Sequence, residues 1–285
     1  MKWKPGRTSS DIEDRRGGGG GMRLGGGRGL GVGGLLLLLV LSLVFKQDFF
    51  SLVGGGLGSD PVAGVEAGPV VQSPEEERQV QFVSFVLDSA QNFWERTFTE
   101  MGAQYSRARL VLFRDAVHSA CGAAQSAVGP FYCPGDHRVY IDLGFFEDLD
   151  RRFGAPGDFA QAYVLAHEIG HHVQTLLGIE GRVRQSQRSD PGSANGVQVR
   201  MELQADCLAG VWGHATNRMG LLDEGDIEEG LRAAAAVGDD RIQKAGQGYV
   251  NPDAFTHGTS EQRMQWFTRG FRSGRVDQCD SFAAR

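Results

Sequence analysis

The chain has 285 residues, 41% hydrophobic and 22% charged, so it has room for one catalytic-size domain plus an anchor segment but not for two large domains. A net charge of -6 with no long basic stripe excludes the electrostatic footprint of a nucleic-acid binder, and no nucleic-acid partner is expected. Of the 42 glycines, 19 fall in the first 70 residues, where they predict flexible flanks and say little about the fold of the rest.

Residues 1–28 read as a polar, Gly-rich tail. The uncharged run 29–45 follows, with the block Leu35 to Leu41 at its centre, Arg28 before it and Lys46 after it. Its length sits at the lower edge of the roughly 17 to 25 residues that a spanning helix needs. A signal anchor is the expectation, because no small-x-small cleavage site follows at once; a cleaved signal peptide remains the competing reading. Lys2, Lys4, Arg7, Arg15, Arg16, Arg23 and Arg28 precede the run, so the positive-inside rule assigns 1–28 to the cytoplasm. The chain beyond then lies outside the membrane. Residues 46–73 read as a Gly/Pro/Val linker.

The domain proper is expected over 74–285. Ser73 as N-cap, Pro74 at the first helical position and Glu75, Glu76 and Glu77 in the first turn open a helix that carries Val80, Val83, Leu87, Ala90 and Trp94 at helical spacing. Arg109 to Phe113 and His137 to Leu143 read as strands. Asp158 as N-cap opens a helix to Leu177, with Gly178 as its stop. A polar insert over 181–196 precedes a helix over 197–219, and further helices are expected over 226–237 and 260–269. The order of elements is that of an α+β fold, mainly helical with a small sheet.

Cys121, Cys133, Cys207 and Cys279 are an even set, and in an exported domain they read as two disulfides. Three pairings are open. Cys121 with Cys133 is preferred because the loop is local and holds the turn signal Gly129-Pro130, and Cys207 with Cys279 follows by elimination. Four buried thiols in a reducing compartment is the alternative.

Chemistry concentrates in His167-Glu168-Ile169-Gly170-His171. Two imidazoles four residues apart on a helix share one face and reach one zinc ion, while the glutamate between them is placed to act as a general base on water. Catalytic zinc usually takes three protein ligands. Leu177 stands where a metzincin would carry its third histidine, so the third ligand must come from elsewhere. Glu202 and Asp206 lie at i and i+4 on the 197–219 helix, which suits a ligand and a partner for the free ring N–H of one histidine. Cys207 lies about 140° around the helix axis from Glu202, free for a disulfide. His172 points away and reads as a supporting or surface residue; His118, His137 and His214 lack companions, and Trp94, Trp212 and Trp266 read as core.

The Cys121–Cys133 segment ending Gly129-Pro130-Phe131-Tyr132-Cys133-Pro134, the His167–His172 run, Glu202-Leu203-Gln204-Ala205-Asp206-Cys207 and Phe255-Thr256-His257-Gly258-Thr259-Ser260-Glu261-Gln262-Arg263, together with the apolar run, resemble the YpfJ-like family of bacterial neutral zinc metallopeptidases. The resemblance covers about 75–285 and the anchor. It implies a zincin-like domain of gluzincin layout, with one Zn2+, located at the bacterial inner membrane as a single-pass protein with its catalytic domain outside the cytoplasm. Peptide or protein substrates are implied. In metallopeptidases generally the substrate pairs with an edge strand near the active-site helix, and 137–143 is the candidate here. His257, in a loop before a helix, is a candidate for stabilising the developing oxyanion. The rival readings are a non-peptidase zinc hydrolase and a membrane-tethered zinc-containing binding or assembly module without peptidase activity. Glu168 argues against the module, since a structural site needs no base.

Overall fold

The computed structural model describes residues 1–17 and 73–283, so the apolar run 29–45 and the linker up to residue 72 lie outside the described residues. Among the described residues, no helix is long and apolar enough to cross a membrane.

Helix α1 (Pro74–Glu100) starts as expected: the Ser73 hydroxyl accepts the Glu76 amide at 3.1 Å, and the three glutamates of the first turn face the positive end of the helix dipole. Val83, Leu87, Ala90, Trp94 and Phe98 recur at three- and four-residue steps and are buried in the core. The described strands are β1 (Ile12–Asp14), β2 (Arg109–Phe113), β3 (Ala116–Ser119), β4 (Gly122–Gln125), β5 (Phe131–Cys133) and β6 (Arg138–Asp142). Four of them form a sheet in the order β1-β2-β6-β5, with β1 and β6 parallel to β2 and β5 antiparallel to β6, while β3 and β4 form a separate hairpin. Leu110 and Leu112 of β2 join the main core, whereas Val111 and Phe113 join a second cluster with Val117, Cys133 and Tyr140. Apolar cover on both faces explains why β2 is a continuous apolar run and does not alternate with polar residues.

Two sequence expectations change here. The tail expected over 1–28 is not separate in its first 16 residues: Met1–Arg16 forms one compact unit with Val70–Arg285, and β1 pairs with β2 from Ile12↔Leu110 to Asp14↔Leu112. A three-residue strand carries no periodic signature, and the bare edge of β2 is what makes it a strand. The 137–143 segment is a strand, but it lies inside the sheet, hydrogen-bonded to β2 on one side and β5 on the other, so it has no free edge for a substrate. The edge on that side is β5.

The described helices continue with α2 (Gly144–Arg151), α3 (Asp158–Leu176), α4 (Ile179–Ser189), α5 (Ala194–Arg218), α6 (Asp226–Ala236), α7 (Asp239–Gln247) and α8 (Ser260–Ser273). Asp158 does not cap α3 as expected; Gly157 holds the cap position, and the Asp158 carboxylate accepts the Met1 ammonium at 2.8 Å. The polar insert over 181–196 is mostly helix, held by Val183 in the core and a Glu180–Arg184 ion pair at 2.8 Å. Both disulfides form as expected, Cys121–Cys133 between the β3–β4 turn and β5, and Cys207–Cys279 between α5 and the C-terminal segment. Trp94, Trp212 and Trp266 are core residues.

Helices α3, α5 and α8 approach through glycine. A Cβ on Gly170 of α3 would lie 3.0 Å from the Ala205 carbonyl oxygen, one on Gly210 of α5 would lie 2.1 Å from that of Phe267, and one on Gly270 of α8 would lie 1.9 Å from that of Cys207. The helices therefore pack backbone against backbone at the level of the candidate ligands.

Candidate active site

The α3–α5 contact at Gly170 and Ala205 sets α3 and the Glu202 turn of α5 side by side. His167 Nε2 lies 3.2 Å and His171 Nε2 3.5 Å from Glu202 Oε2. One donor atom from each of the three residues lies within 4.8 Å of the other two. Zinc bonds of about 2.0–2.1 Å at tetrahedral angles put ligand atoms about 3.3 Å apart, so this donor set fits one zinc ion in both spacing and chemistry.

Each imidazole is oriented by its second nitrogen. His167 Nδ1 lies 2.8 Å from Asp206 Oδ1, and His171 Nδ1 lies 2.8 Å from Gln174 Oε1. Both partners accept hydrogen bonds, so both Nδ1 atoms carry a proton, and Nε2 of each ring, turned towards Glu202, is the atom that would bind a metal. Gln174 is itself fixed, its Nε2 donating to the Met201 carbonyl at 2.8 Å and to Gln204 Oε1 at 2.9 Å. Asp206 is fully buried between cations: Arg263 Nε donates to Oδ2 at 2.8 Å and Nη2 to Oδ1 at 2.9 Å, and the Tyr163 hydroxyl also donates to it. Burial alone would raise its carboxyl, but Arg263 and His167 hold it down at about 2. Burial likewise opposes charge on His167, yet the Asp206 and Glu202 carboxylates raise it to about 9.

These groups open into a cleft of about 670 Å³ that Glu168 and His257 also line. Tyr132 of β5, Phe145 of α2 and Phe153 give it apolar walls, and Thr175 and Glu180 give it polar ones. His257 Nδ1 lies 3.2 Å from Asp239 Oδ1, and the other Asp239 oxygen accepts the amides of Thr256, His257 and Gly258 at 2.7, 2.6 and 3.0 Å. This bond is the main reason the imidazole pKa is raised, against a smaller opposing effect of burial. His172 turns away from the cleft. Its Nε2 donates to the Ser106 carbonyl at 2.6 Å and its Nδ1 accepts from the Tyr132 hydroxyl at 3.1 Å, and burial lowers its pKa to about 4.

The structure thus brings together His167, Glu168, His171, Glu202, Asp206 and His257 around one cleft, as the sequence reading grouped them. Arg263, Gln174 and Asp239 were missed. A signal existed for Arg263: it shares a buried helix face with Trp266, Phe267 and Gly270 at i+3, i+4 and i+7, and a charged residue in such a stripe calls for a buried partner. Asp239 meets His257 across 18 residues, and no spacing rule links the two.

The family described as "Putative neutral zinc metallopeptidase" matches residues 1–282. The uncharacterized protein YpfJ of Escherichia coli (strain K12) is 48% identical over 293 aligned residues, which span 99% of each chain. The uncharacterized protein Mb2605 of Mycobacterium bovis is 47% identical over 191 residues, 63% of this chain and 64% of its own. No solved structure matches the chain.

Proposed function

Because the chain belongs to this zinc metallopeptidase family, we propose that it hydrolyses peptide bonds, with His167, His171 and Glu202 holding one zinc ion and Glu168 acting as general base. The observation that carries the reading is the convergence of two Nε2 atoms on one carboxylate oxygen at 3.2 and 3.5 Å, in a cleft that Glu168 shares. When bound, zinc supplies Lewis acidity there, polarising a carbonyl and bringing water into a titratable range near neutral pH.

The protein's own groups do the rest. Glu168 takes the proton of the attacking water and delivers it to the departing amine nitrogen. His257, oriented by Asp239 and half-exposed to the cleft, donates to the scissile carbonyl oxygen as negative charge develops on it. Asp206 and Gln174 fix the ring orientation of the two histidines, and Arg263 keeps Asp206 ionised. Strand β5, which is the edge of the sheet beside the cleft among the described residues, offers its backbone to an extended peptide in place of the 137–143 strand. The module reading requires a closed structural site with a fourth protein ligand, and among the described residues the cluster has three. The two disulfides support a domain that works in an oxidising compartment outside the cytoplasm.

Glu168→Gln tests the assignment. It should retain one zinc per chain by metal analysis and lose about 10² to 10⁴-fold in hydrolysis of a peptide library. Full zinc with undiminished hydrolysis would remove Glu168 from the mechanism.

A further inference from the structure

The N-terminal 16 residues touch the rest of the domain at many points. Besides the β1–β2 ladder, the Leu110 amide donates to the Asp11 carbonyl at 2.9 Å and the Arg15 amide to the Leu112 carbonyl at 2.8 Å. Asp11 Oδ2 accepts from Gln91 Nε2 at 2.9 Å and from Arg107 Nε at 2.7 Å. Buried Ser9 donates to Asp88 at 2.7 Å, and Trp3 packs against Phe82 at a tilt, with ring centres 5.2 Å apart. The Arg16 guanidinium is fully buried, 2.6 Å from Asp14 and 2.8 Å from Glu76 of α1. The Lys2 amide reaches the Leu221 carbonyl at 2.7 Å, just past the C-terminal end of α5.

These contacts bear on topology. Without β1 the buried strand β2 would expose its whole outer backbone edge, and without Arg16 the Glu76 carboxylate would lose one of its two partners. The apolar run 29–45 lies in sequence between this segment and α1. A chain crossing the bilayer once in that interval would set residues 1–16 and the domain on opposite sides of a hydrocarbon layer about 30 Å thick. A β-ladder and a buried ion pair cannot form across it. The basic residues that point to a cytoplasmic tail include Arg15 and Arg16, and the fold pairs both with acids, Glu13 in one case and Asp14 and Glu76 in the other.

We infer that residues 1–16 are a permanent part of the same domain as residues 73–283, with β1 as a strand of its sheet, and that these two stretches lie on the same side of any membrane the intervening chain enters. A single-pass anchor with its tail in the cytoplasm and its domain outside is then excluded. This inference rests on the contacts of residues 1–16 and is independent of the peptidase reading.

The test uses the full chain expressed in bacterial cells. Thr8→Cys and, in a second chain, Gln265→Cys each add one exposed thiol to a protein whose four cysteines are all in disulfides. A membrane-impermeant maleimide is applied to spheroplasts before and after lysis. The inference expects the two sites to behave alike, both labelled before lysis or both only after it. Labelling of Gln265→Cys with protection of Thr8→Cys until lysis, or the reverse, overturns it. A second measurement needs no substitution. In hydrogen exchange of the purified chain, the Arg15 amide, bonded to the Leu112 carbonyl of β2, should be protected by at least about 10²-fold over its free-peptide rate. Exchange at free-peptide rates would show that β1 is not part of the domain.

Discussion

Arg263→Ala is the sharpest perturbation of the site that leaves every candidate ligand in place. The guanidinium is 3% exposed and makes two bonds to Asp206, one to the Tyr163 hydroxyl at 3.1 Å and one to the Val237 carbonyl at 3.2 Å. Truncation leaves a fully buried carboxylate without its cation, and breaking a buried pair in this way costs about 3–5 kcal/mol. For a domain of this size, 1 kcal/mol moves Tm by about 2–4 °C, so the loss should be about 6–20 °C. A second effect follows from the first. An Asp206 that takes up a proton to escape its isolation accepts less well from His167 Nδ1, and zinc affinity should fall about 10 to 100-fold. Calorimetry of the chelated protein gives the first quantity, and competition with a chromophoric chelator gives the second. Arg263→Met combined with Asp206→Asn removes both charges at similar volume and should recover part of the stability lost in Arg263→Ala. A single variant within about 1 kcal/mol of wild type, or a double variant no better than the single one, would refute the account.

Glu202→Ala should abolish stoichiometric zinc at neutral pH, while His257→Ala should keep the metal and lose about 10² to 10³-fold in rate, read by metal analysis and peptide turnover; the reverse pattern would make this a three-histidine site. His172 predicts a pH dependence of stability that is separable from the metal. Its pKa falls from near 6.5 to about 4 on folding, with Tyr105, Tyr132 and His137 facing it, so its contribution is complete above about 6.5 and is lost as pH falls towards 4. That interval corresponds to about 3 kcal/mol. Urea melts of wild type and His172→Gln between pH 7.5 and 4 should therefore converge, and parallel curves would assign the acid loss to other groups.

The parts of the site legible in the sequence are those that one helix spells out alone. His167, Glu168 and His171 are related by a helical repeat, and so are Glu202 and Asp206, so side-chain direction follows from spacing. The Ser73-Pro74 start of α1 was legible for the same reason. What lies between elements was not. Nothing within residues 12–14 marks them as a strand, because their partner is about a hundred residues away. The 137–143 segment carries a strand pattern, but its place inside the sheet depends on β5, whose three residues are too few to show a period. Helix α4 was hidden by its polar composition, since one buried valine and an ion pair are enough once Gly178 has turned the chain into it.

The glycine contacts bear on which substitutions the site can absorb. Where helices meet through side chains, a shortened ligand can be met by a small slide of one helix over the other. Here Gly170, Gly210 and Gly270 seat backbone directly on backbone, so α5 is held between α3 and α8 with nothing left to compress. The reach demanded of each ligand is set by main-chain positions. Aspartate at 202 keeps the charge and the oxygen donors of glutamate but falls one methylene short, and the helices have no closer approach with which to make up the difference. A metal centre built this way tolerates variation along its cleft walls far better than any change in the length of the side chains that meet at its middle.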